Sequence, residues 1–141
     1  MMRYSLLFVS FALMSGAAGA QDVQTFAARL TPVPLDVVNR EQIKGSGSGS
    51  AVLDGRTLTV SGSFSGMLGP ATVAHLHLGP ALGIRGGPVL DLEVDQVTAG
   101  SFSGEWELTD DQLQALQGRR LYIQIHSEIA PGGNLWGWLL E

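Results

Sequence analysis

The sequence predicts an all-β fold: an antiparallel β-sandwich or flattened barrel of about eight short strands, with one short helical turn. Three observations predict it. Short runs alternate apolar and polar residues with the two-residue period of a half-buried strand, "TLTVSGSFS" (57–65) most clearly. Nineteen glycines punctuate those runs and leave little room for long helices. Asp54-Gly55 stands between "SAVL" and "RTLTV", a hairpin signal because both turn positions favour positive φ.

Along the chain, residues 1–20, "MMRYSLLFVSFALMSGAAGA", carry Arg3, an apolar stretch from Leu6 to Met14 and a small-residue end at Ala18-Gly19-Ala20. That is the pattern of a signal peptide cleaved before Gln21. Its apolar stretch is shorter than the ~20 residues of a spanning helix, and no cysteine follows the cleavage site for lipid anchoring. An exported protein, periplasmic or secreted and without a membrane anchor, is expected. Residues 21–141 suit one domain.

The first strand expected is Phe26–Leu30. "KGSGSGS" (44–50) reads as the start of a strand with small residues on both faces, since the mature chain before it, about twenty residues, is too short for a domain. In 57–65, Leu58, Val60, Gly62 and Phe64 share one face, and Thr57, Thr59, Ser61 and Ser63 the other. Further strands are expected at Val73–Leu78, Val89–Val94, Phe102–Leu108, Leu121–His126 and Leu135–Leu140. "GIRGGP" (83–88) reads as a turn, with Gly86 and Gly87 supplying unusual φ values. "LTDDQLQALQG" (108–118) breaks the alternation. Thr109 and Gln112 have the spacing of a capping box, Asp110 and Asp111 suit the positive end of a helix dipole, Leu108 and Leu113 form a staple, and Gly118 fits the stop.

The formal charge is −5, and loss of Arg3 with the leader makes it one unit more negative. With no basic cluster beyond Arg119-Arg120, nucleic acid and anionic membranes are poor partners. The absence of cysteine excludes disulfides, thiolate metal ligands and thiol catalysis. Ser127 lacks the setting of a nucleophile elbow, and Asp91 and Glu93, on one strand face, read as a solvated pair. No catalytic residue is singled out.

Three histidines remain. His75 and His77 lie two apart in "VAHLHLGP", so they project together, while Ala74, Leu76 and Leu78 project toward the core. In "LYIQIH", Leu121, Ile123 and Ile125 share the core face, and Tyr122, Gln124 and His126 the other. If the two strands are near neighbours, three imidazoles converge, enough for a metal site with an open position. The bland alternative is a set of hydrogen-bonded surface histidines. Trp136 and Trp138 share a strand face and serve either sheet-surface packing or a partner contact.

Two longer stretches, "AHLHLGPALGIRGGPVLDL" (74–92) and "LTDDQLQALQGRRLYIQIHSEIAPGGNLWGWL" (108–139), resemble the CHRD domain, found in many exported bacterial proteins. The resemblance runs over roughly residues 24–140. It is carried by His75 and His77, Gly87-Pro88-Val89, Thr109 to Leu116, Tyr122, His126 and Pro131-Gly132-Gly133. Where the family ends G-G-E-I-R-G, this chain has Gly132-Gly133-Asn134-Leu135-Trp136-Gly137, without the acid and the arginine. A more distant likeness is to the copper half of copper–zinc superoxide dismutase, a Greek-key β-sandwich. It implies a Greek-key-like topology and copper on His75, His77 and His126. The bridging histidine, the zinc ligands and the anion-guiding arginine have no counterpart; Trp136 stands at the last position.

Three functions follow. One is a metal-binding exported domain, copper favoured and zinc the alternative, acting in metal handling or redox chemistry. The second is a metal-free extracellular interaction module, with Trp136 and Trp138 as a contact surface for a protein partner. The third is a minimal copper dismutase-like enzyme.

Overall fold

A computed structural model describes residues 22–141; the expected leader at 1–20 and its cleavage site before Gln21 lie outside them. The described residues form β1 (Val23–Pro32), β2 (Ser46–Asp54), β3 (Thr57–Ser65), β4 (Ala71–Leu78), β5 (Gly87–Val94), β6 (Gly100–Glu107), α1 (Asp110–Gln117), β7 (Leu121–Ser127) and β8 (Leu135–Trp138). The strands close a barrel in the order β1-β2-β3-β6-β5-β4-β7-β8, and every neighbouring pair is antiparallel. Of the two expected architectures, the closed barrel is the one formed. Two of its seams are thin. β5 meets β6 only at Glu93↔Ser103 and Val94↔Phe102, and β1 meets β8 only at Thr31↔Trp136 and Pro32↔Leu135. The connection from β6 through α1 returns β7 to the side of β4, and β3 lies beside β6, which are Greek-key crossings.

Alternation places the core as expected. Leu58, Val60 and Phe64 point inward from β3, Leu76 from β4, and Leu121, Ile123 and Ile125 from β7. The glycine–serine run forms the first half of β2, serines outward and Gly47 and Gly49 inward. The inward glycines make room for large neighbours: Gly49 and Gly62 pair across β2–β3 beneath the ring of Phe102.

Two local expectations are corrected, the hairpin turn and the Gly86 and Gly87 φ values, while the helix stop at Gly118 forms with its left-handed residue one position on. The β2–β3 turn is Gly55-Arg56, because Asp54 pairs with Thr57. Only Gly55 has positive φ, at 61°, so this is a glycine-first turn. The pairing of Leu53 with Leu58, both on the core face, fixes that register. At the end of α1, Gly118 is the C-cap but has φ −81°, and Arg119 takes the left-handed position at φ 59°. Arg120 N–H donates to Ala115 O and Arg119 N–H to Leu116 O, the bonding of a Schellman motif with Arg119 at its left-handed residue. Neither Gly86 nor Gly87 has positive φ; Gly83 does, at 83°. Gly86 is needed for close approach instead, since a Cβ there would strike the Leu78 carbonyl. Among the described residues, no helix is long and apolar enough to cross a membrane.

Candidate metal centre

β4 and β7 are hydrogen-bonded neighbours, so the two histidine-bearing strands lie side by side. The register sets His75 opposite Gln124 and His77 opposite Tyr122, and His126 follows Gln124 by two residues on the same face. On the other side of β4, a bulge skips Val89, so that Leu76 pairs with Leu90 and His77 with Pro88. Proline suits such a position because it has no N–H to give to the ladder.

The three imidazoles meet. Ring centroids are 5.6 Å apart for His75–His77, 5.4 Å for His75–His126 and 5.8 Å for His77–His126. One ligand nitrogen from each ring lies within 4.8 Å of the others. Three nitrogens bound to one ion at about 2 Å lie on average no more than about 3.5 Å apart, so the rings would close by a little over about 1 Å to share an ion.

The opposite nitrogens define which atoms face inward. His77 Nδ1 lies 2.9 Å from Gly86 O, and His126 Nδ1 lies 2.8 Å from Pro131 O. A carbonyl only accepts, so both Nδ1 atoms carry the proton and both Nε2 atoms carry the lone pair. His75 differs: its Nε2 lies 3.6 Å from Asp91 Oδ1, and its Nδ1 is the buried nitrogen. His77 and His126 are thus each backed by a main-chain carbonyl, the arrangement that orients histidine ligands around metals, while the exposed Asp91 lies beyond hydrogen-bond reach of His75. His75 Nδ1 and His77 Nε2 are buried without a hydrogen-bond partner, so the donor set fits an ion.

On β7, the face opposite the barrel core is shielded at Tyr122 and Gln124. Tyr122 is fully buried and Gln124 is 3% exposed, covered by an aromatic layer. Tyr122 stacks on His77 at 5.0 Å and packs against Trp138 at 4.5 Å and Trp136 at 5.6 Å. Trp136 and Trp138 are therefore half-buried packing residues on that layer. Burial, opposed by the carbonyl bonds, holds the His77 and His126 pKa values below the ordinary histidine value; neighbouring histidines and Arg85 add to the depression. Both rings are consequently neutral near pH 7, as ligands must be.

Arg85 comes from the glycine-rich turn. Its guanidinium lies 5.8 Å from the Trp136 ring, and it lines a cavity of about 260 Å³ with Asn39, Gln42 and residues 131–133. A cation thus reaches the Trp136 side of the site from a different loop.

The sequence brought the three histidines together correctly but missed Gly86, Pro131 and Arg85, and it placed Gln124 on the right face without giving it a role. Two of these act through backbone carbonyls, which leave no side-chain signature. Asp91, read as solvated, is exposed yet touches His75. Ser127 is buried and pins the following loop, donating to Asn134 Oδ1 at 2.9 Å and accepting from Ala130 N–H at 3.1 Å.

The family model of the CHRD domain matches residues 26–139, more than half of the chain. No curated protein and no solved structure matches it.

Proposed function

The chain belongs to the CHRD domain family, and on that footing we propose that it binds one metal ion, copper in preference to zinc, through His75 Nδ1, His77 Nε2 and His126 Nε2. One observation carries this reading. Among the described residues, the buried side-chain polar atoms without a partner are His75 Nδ1, His77 Nε2 and Gln124 Oε1, all on one patch of the β4–β7 pair. Each such atom costs about 1–3 kcal/mol when left unmet, and an ion among the three rings would meet the two nitrogens. Copper is favoured because a nitrogen site of given geometry binds Cu(II) more tightly than Zn(II). A bound copper would supply an exchangeable or redox-active centre. We assign the protein to metal buffering, delivery or a redox step, in the periplasm or outside the cell, following the leader pattern of residues 1–20. The likeness to the copper half of the dismutase lends the order of the three ligands and nothing about turnover.

The test is metal content. The mature chain, residues 21–141, is loaded with copper or zinc and dialysed. Close to one ion per chain is expected, with copper displacing zinc. Single His→Ala variants at 75, 77 and 126 should each bind far more weakly, and the triple variant not at all. A triple variant with wild-type stoichiometry and affinity overturns the site. No retention by the wild type leaves the metal-free interaction module, with the exposed edges of Trp136 and Trp138 as its contact surface.

A further inference from the structure

Gln124 sits at the centre of the histidine patch with half of its amide unused. It lies opposite His75 across the β4–β7 pair and two residues before His126 on one face. Its Nε2 lies 3.2 Å from His126 Nε2 and 3.4 Å from Gly132 O. Its Oε1 is buried and accepts nothing. A buried amide oxygen with both lone pairs unmet is uncommon in a folded protein and calls for a partner.

The amide cannot simply be turned over in the metal-free protein. His126 Nδ1 gives its proton to Pro131 O, so Nε2 presents a lone pair. Reversing the amide would set Oε1 against that lone pair and remove the N–H from Gly132 O. The nitrogen is therefore held on His126, and the oxygen is left over.

We propose that Gln124 Oε1 is a fourth ligand of the metal centre, engaged when a divalent ion occupies His126 Nε2. This rests on the metal reading above. An ion at His126 takes the lone pair that the Gln124 N–H now uses. The N–H is then repelled by positive charge and the oxygen attracted, and rotation about the last side-chain bond exchanges the two without moving the backbone. The amide thus occupies His126 in the absence of metal and completes the site in its presence. Amide oxygen suits Cu(II) or Zn(II), whereas Cu(I) is softer and gains little from it beyond the three imidazoles. Gln124 accordingly favours the oxidised ion.

Two variants test this in the mature protein. Gln124→Leu keeps a similar volume and removes both polar atoms; Gln124→Glu keeps an oxygen and adds charge. Cu(II), Zn(II) and, without oxygen, Cu(I) are titrated, and the Cu(II) form is read by electron paramagnetic resonance. Gln124→Leu should bind Cu(II) and Zn(II) about 10–100-fold more weakly, with an altered copper hyperfine pattern and unchanged Cu(I) affinity. Gln124→Glu should bind Cu(II) at least as tightly as the wild type. Wild-type Cu(II) affinity and spectrum in Gln124→Leu overturn the proposal, as does an equal loss for Cu(I) and Cu(II), which marks packing alone. If Gln124→Leu does not fold, Gln124→Glu decides, and weaker Cu(II) binding by it overturns the proposal. Wild-type protein that retains no metal overturns the parent reading as well; wild-type retention with an indifferent Gln124→Leu overturns only this one.

Discussion

The Gly86 carbonyl accepts two hydrogen bonds, from His77 Nδ1 at 2.9 Å and from the Tyr122 hydroxyl at 3.0 Å, and the Gly86 N–H donates back to that hydroxyl at 3.0 Å. One backbone group thereby sets the tautomer of a candidate ligand and ties the glycine-rich loop to β7. Tyr122→Phe should remove that tie while keeping the stacked ring. It leaves a part-buried N–H without its partner, so a loss of about 1–3 kcal/mol is expected in denaturant melts. Metal affinity should fall with it, because the loop that orients His77 is loosened. Unchanged stability and affinity would mean that the loop is held by other contacts. At this scale the sequence was partly legible. The two-residue spacing of His75 and His77 and the matching parity of His126 were enough to bring the rings to one face. What oriented them was not, since Gly86 O and Pro131 O are main-chain atoms brought close only by folding. Gln124 looked like an ordinary polar residue on a solvent-facing strand until the aromatic layer of Tyr122, Trp136 and Trp138 closed over its face.

The elements were more legible than their ends. Thr109 and Gln112 announce α1, and both halves of the capping box form: Thr109 Oγ1 accepts from Gln112 N–H at 3.2 Å, and Gln112 Oε1 accepts from Thr109 N–H at 3.0 Å. The C-terminal end falls at Gly118 as expected, but the left-handed residue lies one position beyond it. Arg119, not Gly118, carries the left-handed conformation, and the three hydrogen bonds from Gly118, Arg119 and Arg120 to Gln114, Leu116 and Ala115 require it there. A glycine signals that the chain can turn but not which neighbour will take the turn. The β2–β3 hairpin shows the same limit: Leu53 and Leu58 had to face the core together, which moved the turn from Asp54-Gly55 to Gly55-Arg56. These findings give opposed expectations for two substitutions. Arg119→Gly removes a left-handed penalty of roughly 1–2 kcal/mol but adds unfolded-chain entropy, for a net gain of about 0.5–1 kcal/mol. Thr109→Ala removes the N-cap and should cost about 1 kcal/mol. Both are read by denaturant midpoint. A destabilised Arg119→Gly would mean that the arginine side chain contributes more than its backbone strain costs.

For the molecule as a whole, the candidate site joins two strands that are adjacent in the barrel but distant along the chain, so an ion bound there reports on the folded state and not on a local peptide. A ligand that binds only the native state at 100 times its dissociation constant adds about 2.7 kcal/mol, which for a domain of this size raises the melting temperature by on the order of 10 °C. The effect should depend on pH in a definite direction. The folded pKa values of His77 and His126 lie below the ordinary histidine value, chiefly through burial. As pH falls below about 6.5, the unfolded chain takes up protons at these two residues before the native protein does. The metal-free protein should therefore hold its stability above that pH and lose it as the pH passes down through the two folded values. The same depression keeps both rings neutral to lower pH than free histidine, so the metal-dependent gain should persist slightly below pH 6.5 before protons displace the ion. Arg85 contributes to the depression at both rings, so Arg85→Met should raise both pKa values and move the loss of metal-dependent stabilisation to higher pH. Thermal melts with and without copper between pH 5 and 8, on wild type, Arg85→Met and the triple alanine variant, separate these effects. A copper-dependent shift that survives in the triple variant would place the ion elsewhere. A shift with the same pH midpoint in Arg85→Met would mean that the guanidinium, spread over the exposed edge of Trp136, is too well screened by water to act on the rings.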